Sequence, residues 1–171
     1  ITDTLQRAID RDENVQLVRD AGTHPTWNGF PLALGDELLL VRSLHEFAVN
    51  GFAVLRLRDV TAVHSTDAER FFERVLRAEG ALDEAPSVKA IPLRSWRSVL
   101  EAVRLHYRYA IIECERPDGA DFFLGELAGV EPTLLRTAFE GCRSERGFAA
   151  AELAITEERA ALQSDRCSGQ G

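Results

Sequence analysis

Arg56 and Arg58 stand two residues apart in a run of alternating apolar and polar residues, a spacing that turns both guanidinium groups to one face of a β-strand. Arg42 on the preceding run can join them across the strand pair, and Asp36 lies at the turn before it. Guanidinium forks recognise phosphate bidentately, so these arginines form a candidate anion or RNA site. Trp27 adds an indole on which a base could stack. The competing reading is a solvated sheet surface, with Asp36, Glu37 and Asp59 neutralising the arginines. Trp96, the second indole, falls on the apolar stripe of a helix and reads as core.

Other constellations carry less. Ser43, His45 and Asp59 supply the residue types of a hydrolytic triad, without a nucleophile elbow or glycine-rich oxyanion loop beside them. His45-Glu46 begins like a zinc-protease helix motif, but Val49 stands where the second histidine belongs. The four histidines, His24, His45, His64 and His106, lie in separate elements, and Cys114, Cys142 and Cys167 form no C-x-x-C pair. No catalytic, metal or cofactor residue is therefore assigned. Gly35 and Gly51 are isolated turn glycines without phosphate-loop spacing, which argues against a nucleotide cofactor.

Charge and composition narrow the classes further. A net charge of −8 repels polyanions, which counts against nonspecific nucleic-acid binding while leaving room for a local basic site. Lys89 is the only lysine; so lopsided a preference for arginine reads as codon bias before it reads as phosphate binding. The 45% hydrophobic content is that of a globular domain, and no apolar run approaches the length of a bilayer helix. The odd, widely spaced cysteines fit a reducing compartment. The chain opens on Ile1 and contains no methionine, which predicts a start that has been trimmed, processed or altered.

The elements that would position these residues follow from periodicity. Leu5, Ala8 and Ile9 place a short amphipathic helix over residues 3–12, ahead of a strand starting at Val15. From Trp27 to Val63 the alternation has period two, broken at Gly35-Asp36 and Asn50-Gly51, and reads as a strongly bent antiparallel meander. Leu38 to Val49 is predicted as a strand buried on both faces for part of its length, Asn50-Gly51 as a type I′ hairpin turn, and Phe52 to Leu57 and Val60 to His64 as the strands after it. Thr66 and Glu69 form a capping box, opening a helix with Phe71, Phe72, Val75 and Leu76 as its apolar stripe. Ser95 caps a second helix with the stripe Trp96, Val99, Leu100, Val103 and Tyr107. A strand over Tyr109 to Glu115 leads to a turn at Pro117-Asp118-Gly119.

Leu38-Leu39 and Leu134-Leu135 are 134 − 38 = 96 residues apart, and Gly51-Phe52 and Gly147-Phe148 are 147 − 51 = 96 apart. The shared offset predicts an internal duplication of a five-stranded unit of about 55 residues, against chance alignment of leucine-rich strands. The tail, residues 164–171, is expected to fray.

The stretches GFPLALGDELLLVRSLHEFAVNGFAVLRLRDVTAV, WRSVLEAVRLHYRYAIIECE and FFLGEL resemble a group of uncharacterised bacterial proteins with Sm-like folds, over most of residues 27–130. For the Sm-like superfamily the resemblance implies oligoribonucleotide binding at the inner rim of a ring, through an aspartate-x-x-x-asparagine loop and a later basic-glycine loop. Asp36 matches the first position, but Leu40 stands at the asparagine and Asn50-Gly51 replaces the basic-glycine pair. The implied fold therefore carries over without the residues that hold a base and its phosphate.

Together these readings predict an α+β fold of two small, bent five-stranded antiparallel Sm-like or SH3-like barrels joined by two helices. Residues 1–65 would form the first barrel with its short helix, 66–107 the helical connector, and 108–171 a second, degenerate barrel with its tail. The function expected is a cytoplasmic, non-catalytic binding or assembly module with no membrane span and no cofactor. Its partner would be an unknown protein, with edge strands pairing inside the chain or across a homodimer. The second reading is weak single-stranded RNA binding through Arg42, Arg56, Arg58 and Trp27; the third is a small hydrolase on Ser43, His45 and Asp59.

Overall fold

The leucine-rich stretch expected to be buried on both faces is so. Strand β3 (Leu38–His45) pairs antiparallel with β4 (Ala48–Arg56), and the pair carries an apolar layer on each side. Leu38, Leu40, Phe52 and Val54 belong to one core cluster, and the intervening Leu39, Val41, Ala53 and Leu55 to another. The period-two alternation of side chains makes two layers from one run of leucines.

The structure, a computed structural model, describes residues 1–20, 24–45, 47–83, 88–116, 119–130, 134–139, 142–147 and 152–155, with the backbone alone at 114–123, 130 and from 134 onward. The tail and the Pro117-Asp118 turn lie outside the described residues. In chain order the elements around β3 and β4 are α1 (Thr2–Arg11), β1 (Val15–Arg19), β2 (Thr26–Leu34), a 3-10 turn (Leu57–Asp59) after β4, and β5 (Val60–His64). Two helices follow, α2 (Asp67–Ala78) and α3 (Trp96–His106). Then come β6 (Ala110–Arg116), β7 (Gly119–Val130), β8 (Leu134–Phe139), β9 (Cys142–Gly147) and β10 (Glu152–Ile155).

Hydrogen bonding runs through these strands in the order β5-β1-β2-β3-β4-β10-β6-β7-β8-β9, every neighbouring pair antiparallel. This overturns the expectation of two five-stranded barrels. To close the first set, β4 would have to meet β5, but the far side of β4 is occupied by β10, with Leu55 opposite Glu152 and Phe52 opposite Ile155. β10 is likewise held between β4 and β6 and does not meet β9. Among the described strands neither set closes on itself, and the fold is α+β, an open antiparallel sheet with three helices.

Each helix is where its stripe can be buried. Leu5 and Ala8 of α1 pack with Val15, Leu17 and Val60 against one side of β3–β4. Val99, Leu100 and Val103 of α3, with Tyr107 just after its end, cover the other side, in a cluster that takes in Ala110 and Ile112 of β6 and Leu127 of β7. One core therefore draws on strands of both sets. Helix α2 contributes Leu76 to a smaller cluster with Phe30 and Leu44. Its predicted stripe is narrower than expected, since Phe71 is 50% exposed, and only Leu76 of the four is fully buried. Polar contacts hold α2 instead: Asn14 Nδ2 donates to Glu69 O at 3.1 Å, and Arg77 reaches Glu73 at 3.0 Å and Asp12 at 3.1 Å. The hydrogen bond to Glu73, ahead of the other contacts, raises the affinity of Arg77 for its proton.

The Asn50-Gly51 hairpin turn is not found. The chain reverses between His45 and Ala48, which are paired, and Asn50-Gly51 lies inside β4. Leu44 pairs with Val49 and Arg42 with Phe52, so two residues, Asn50 and Gly51, face the single Ser43. That is a β-bulge, and Gly51 has the positive φ, 77°, that it requires. The residue types that suit a tight turn suit this bulge equally well.

Candidate functional site

The turn between β2 and β3 is clamped from both sides. Gly35 N–H donates to Leu38 O at 2.8 Å, and Leu57 N–H donates to Glu37 O at 2.8 Å, tying the turn to the 3-10 segment. On the other side Gly35 lies so close to the connector before α3 that a Cβ would stand 2.6 Å from Leu93 O. The side chains of Asp36 and Glu37 are thus presented to solvent from a fixed backbone.

Across from that turn, β4 ends at Arg56 and the 3-10 turn begins. Arg58 is therefore not on a strand, and the two arginines do not share a strand face as their spacing suggested. Asp59, only 9% exposed, holds both. Arg56 Nε donates to its Oδ2 at 2.6 Å, while Arg58 Nε lies 3.7 Å from Oδ1. The Asp59 carbonyl accepts from Asp20 N–H at 2.8 Å, which fixes the turn to the loop after β1. At the start of α3, Ser95 Oγ accepts from Ser98 N–H at 3.2 Å and sets the helix so that Trp96, its first residue, projects toward the same region.

These segments and the start of α1 enclose an open cleft of about 720 Å³, with Leu38, Leu57, Val60 and Trp96 as apolar walls, Asp36, Glu37, Arg56 and Arg58 as charged groups, and Ile1 and Thr2 completing the lining. The volume is that of a small-ligand or side-chain site. Its charge is mixed, not that of a purely basic anion site. Two carboxylates, Asp36 and Glu37, and two guanidinium groups, Arg56 and Arg58, line it; Asp59, which is not part of the lining, bonds Arg56, while the Arg58 side chain is 76% exposed and 3.7 Å from the same carboxylate. Asp36 and Glu37 have no ion-pair partner among the described residues.

The other sequence candidates lie elsewhere. Arg42 shares a β3–β4 face with Arg56, but Arg56 is opposite Leu38 and Arg42 opposite Phe52, four residues along and so on the order of 13 Å away. Arg42 is half-buried, with its Nε enclosed and unbonded. Trp27 packs against the α1-side cluster, edge-on to His24 with ring centroids 6.1 Å apart. The structure thus brings Asp36, Arg56 and Arg58 together and leaves Arg42 and Trp27 out. Trp96, read from sequence as core, is the aromatic wall of the cleft as well as part of the α3-side packing.

The triad residues are not assembled. Ser43 is buried opposite Gly29, His45 is exposed at the end of β3, and Asp59 lies beyond the other end of β4, bonded to Arg56. Among the described residues no three His, Cys, Asp or Glu side chains could hold a metal ion. No described helix is long and apolar enough to cross a membrane. The chain matches no family model, no curated protein and no solved structure.

Proposed function

We propose that the protein is a non-catalytic binding and assembly module, made of a duplicated five-strand unit, that engages a partner protein along an exposed sheet edge. The observation that carries this reading is the strand order. In each set the fifth strand lies beside the first, β5-β1-β2-β3-β4 and then β10-β6-β7-β8-β9, and β3 begins at Leu38 where β8 begins at Leu134, 96 residues on. The β4–β10 pairing joins the sets edge to edge inside one chain. Among the described strands it leaves β5 and β9 with a single neighbour each, and unpaired strand edges are templates for another chain. The RNA reading has less support, because its arginines are separated and Arg56 is engaged by Asp59.

The test is a titration of labelled single-stranded RNA with the protein, followed by fluorescence anisotropy at low and at physiological salt. The expected result is no saturable binding at physiological salt. Saturable binding that persists there and vanishes in Arg56→Ala/Arg58→Ala would replace the protein-interaction reading with an RNA-binding one.

A further inference from the structure

We infer that the partner taken at β5 is a second copy of this chain, added antiparallel about a two-fold axis at Ala62. The inference rests on the edge-binding reading above and names the partner. Backbone alternation decides which groups the edge offers. Arg19 N–H donates to Pro25 O at 2.8 Å, so Arg19, and two residues before it Leu17, turn their backbone groups to β2, while Gln16 and Val18 turn theirs to β5. Ala62 and His64, opposite Val18 and Gln16, therefore bond inward. Thr61 and Val63 are left to present their N–H and C=O groups on the side of β5 that no described strand occupies.

Only residues that bond outward can pair across that edge, and this selects one register for two copies of β5. Thr61 of each copy lies opposite Val63 of the other, and each of these two pairs exchanges two hydrogen bonds. Both residues are β-branched, which suits cross-strand contact. Ala62 meets its own copy on the axis, at an unbonded position where Cα atoms stand about 4.5 Å apart, and its methyl group is small enough for that approach. β5 thus supplies both halves of the pairing. Charge agrees at its ends: carried past the strand, the same register brings Arg58 toward Thr66 and Asp67 of the second copy. The Arg58 side chain is 76% exposed and lies 3.7 Å from Asp59, and the Asp67 side chain is fully exposed, with Arg70 of its own helix beside it. The two-fold axis creates this arginine–aspartate approach twice. Repulsion between two chains of net charge −8 keeps the association weak.

Sedimentation velocity of the full chain, from micromolar to millimolar concentration, is expected to show the 19.0 kDa monomer giving way to a dimer. Thr61→Lys places a charge in the pairing and should leave the chain monomeric throughout. Arg58→Glu and Asp67→Arg should each weaken association about tenfold, since both ends of the strand are affected, and the two together should restore it. A wild-type chain that stays monomeric overturns the inference; if it still binds an alternating valine-threonine peptide and loses that binding in Thr61→Lys, the edge reading stands without self-pairing. Growth beyond a dimer also overturns it, because a two-fold contact closes on itself. Association that survives Thr61→Lys refutes pairing at β5, and failure of the double variant to restore association refutes the register. Circular dichroism of each variant, expected to match wild type, excludes unfolding as the cause.

Discussion

Replacing Leu100 by alanine tests whether the two strand sets stand or fall together. Leu100 lies on α3, is 2% exposed, and belongs to a cluster containing Leu38, Leu40, Phe52 and Val54 from β3 and β4 beside Ala110, Ile112 and Leu127 from β6 and β7. Leu→Ala removes three carbon atoms, worth about 2.4 kcal/mol in lost burial at roughly 0.8 kcal/mol each. The cavity adds to that, because β3 and β4 carry a second apolar layer on their other face and cannot shift to fill the space. A total of about 3–4 kcal/mol follows, which for a chain of this size lowers the melting temperature by about 6–16 °C. Trp27 packs in the α1-side cluster and Trp96 against the α3-side cluster, so Trp96→Phe and Trp27→Phe backgrounds give a separate fluorescence probe of each. Urea unfolding followed with either probe should show one shared midpoint, displaced equally by Leu100→Ala, with an unchanged m-value. A Trp27 transition that stayed at its wild-type midpoint while the Trp96 transition moved would refute a shared core, as would a loss below about 1 kcal/mol.

Two further substitutions test local devices. At the start of α2, Thr66 Oγ1 accepts from Ala68 N–H at 3.2 Å, and the Glu69 carboxylate accepts from Thr66 N–H at 2.7 Å, so Thr66→Ala should cost about 1 kcal/mol in urea denaturation. Burial works against the charge on Glu69, yet the bonds from Thr66 outweigh it and hold the carboxyl below its ordinary range. A lowered folded-state pKa gives stability that is present above the unfolded value and lost as pH falls through the folded one. The wild-type chain should therefore lose stability below about pH 4, and Glu69→Gln should reduce that acid sensitivity; an unchanged pH profile would remove Glu69 from the account. Gly29 lies against Val41 and the Arg42 carbonyl, where a Cβ would overlap backbone, and Gly29→Ala should cost about 1–3 kcal/mol by the same assay.

The sequence carried the elements better than their closure. β3, the Thr66 and Ser95 caps, and the stripe from Val99 to Tyr107 were legible because period and capping chemistry are local. Whether five bent strands close on themselves is settled by which strand reaches β4, and β10 competes for it from about 100 residues away, beyond any local pattern. Asn50-Gly51 misled for a different reason: a left-handed glycine serves a turn or a bulge, and the register of β3 against β4 chooses between them. The candidate site was half legible. Asp36, Arg56 and Arg58 do converge, but the strand spacing that suggested a shared arginine face was broken by the 3-10 turn, which buries Asp59 between them. Trp96 was missed because a residue on an apolar stripe at the first turn of a helix can be both core and rim, and only the position of the β2–β3 turn reveals the second role.

The two strands with a single neighbour among the described strands, β5 and β9, differ in charge. β9 is Cys142–Gly147, and Arg143, Glu145 and Arg146 make half of its residues charged; charges of this kind on an edge strand oppose strand addition. β5 carries none within Val60–Val63, and its last residue, His64, is exposed. A protein under pressure only to avoid association would blunt both edges. An uncharged β5 leaves that edge more open to an added strand than β9. Thr61→Lys, which puts a charge in the middle of β5, should therefore weaken addition of an alternating valine-threonine peptide in an anisotropy titration without changing the circular dichroism, and unaltered binding would refute the edge reading.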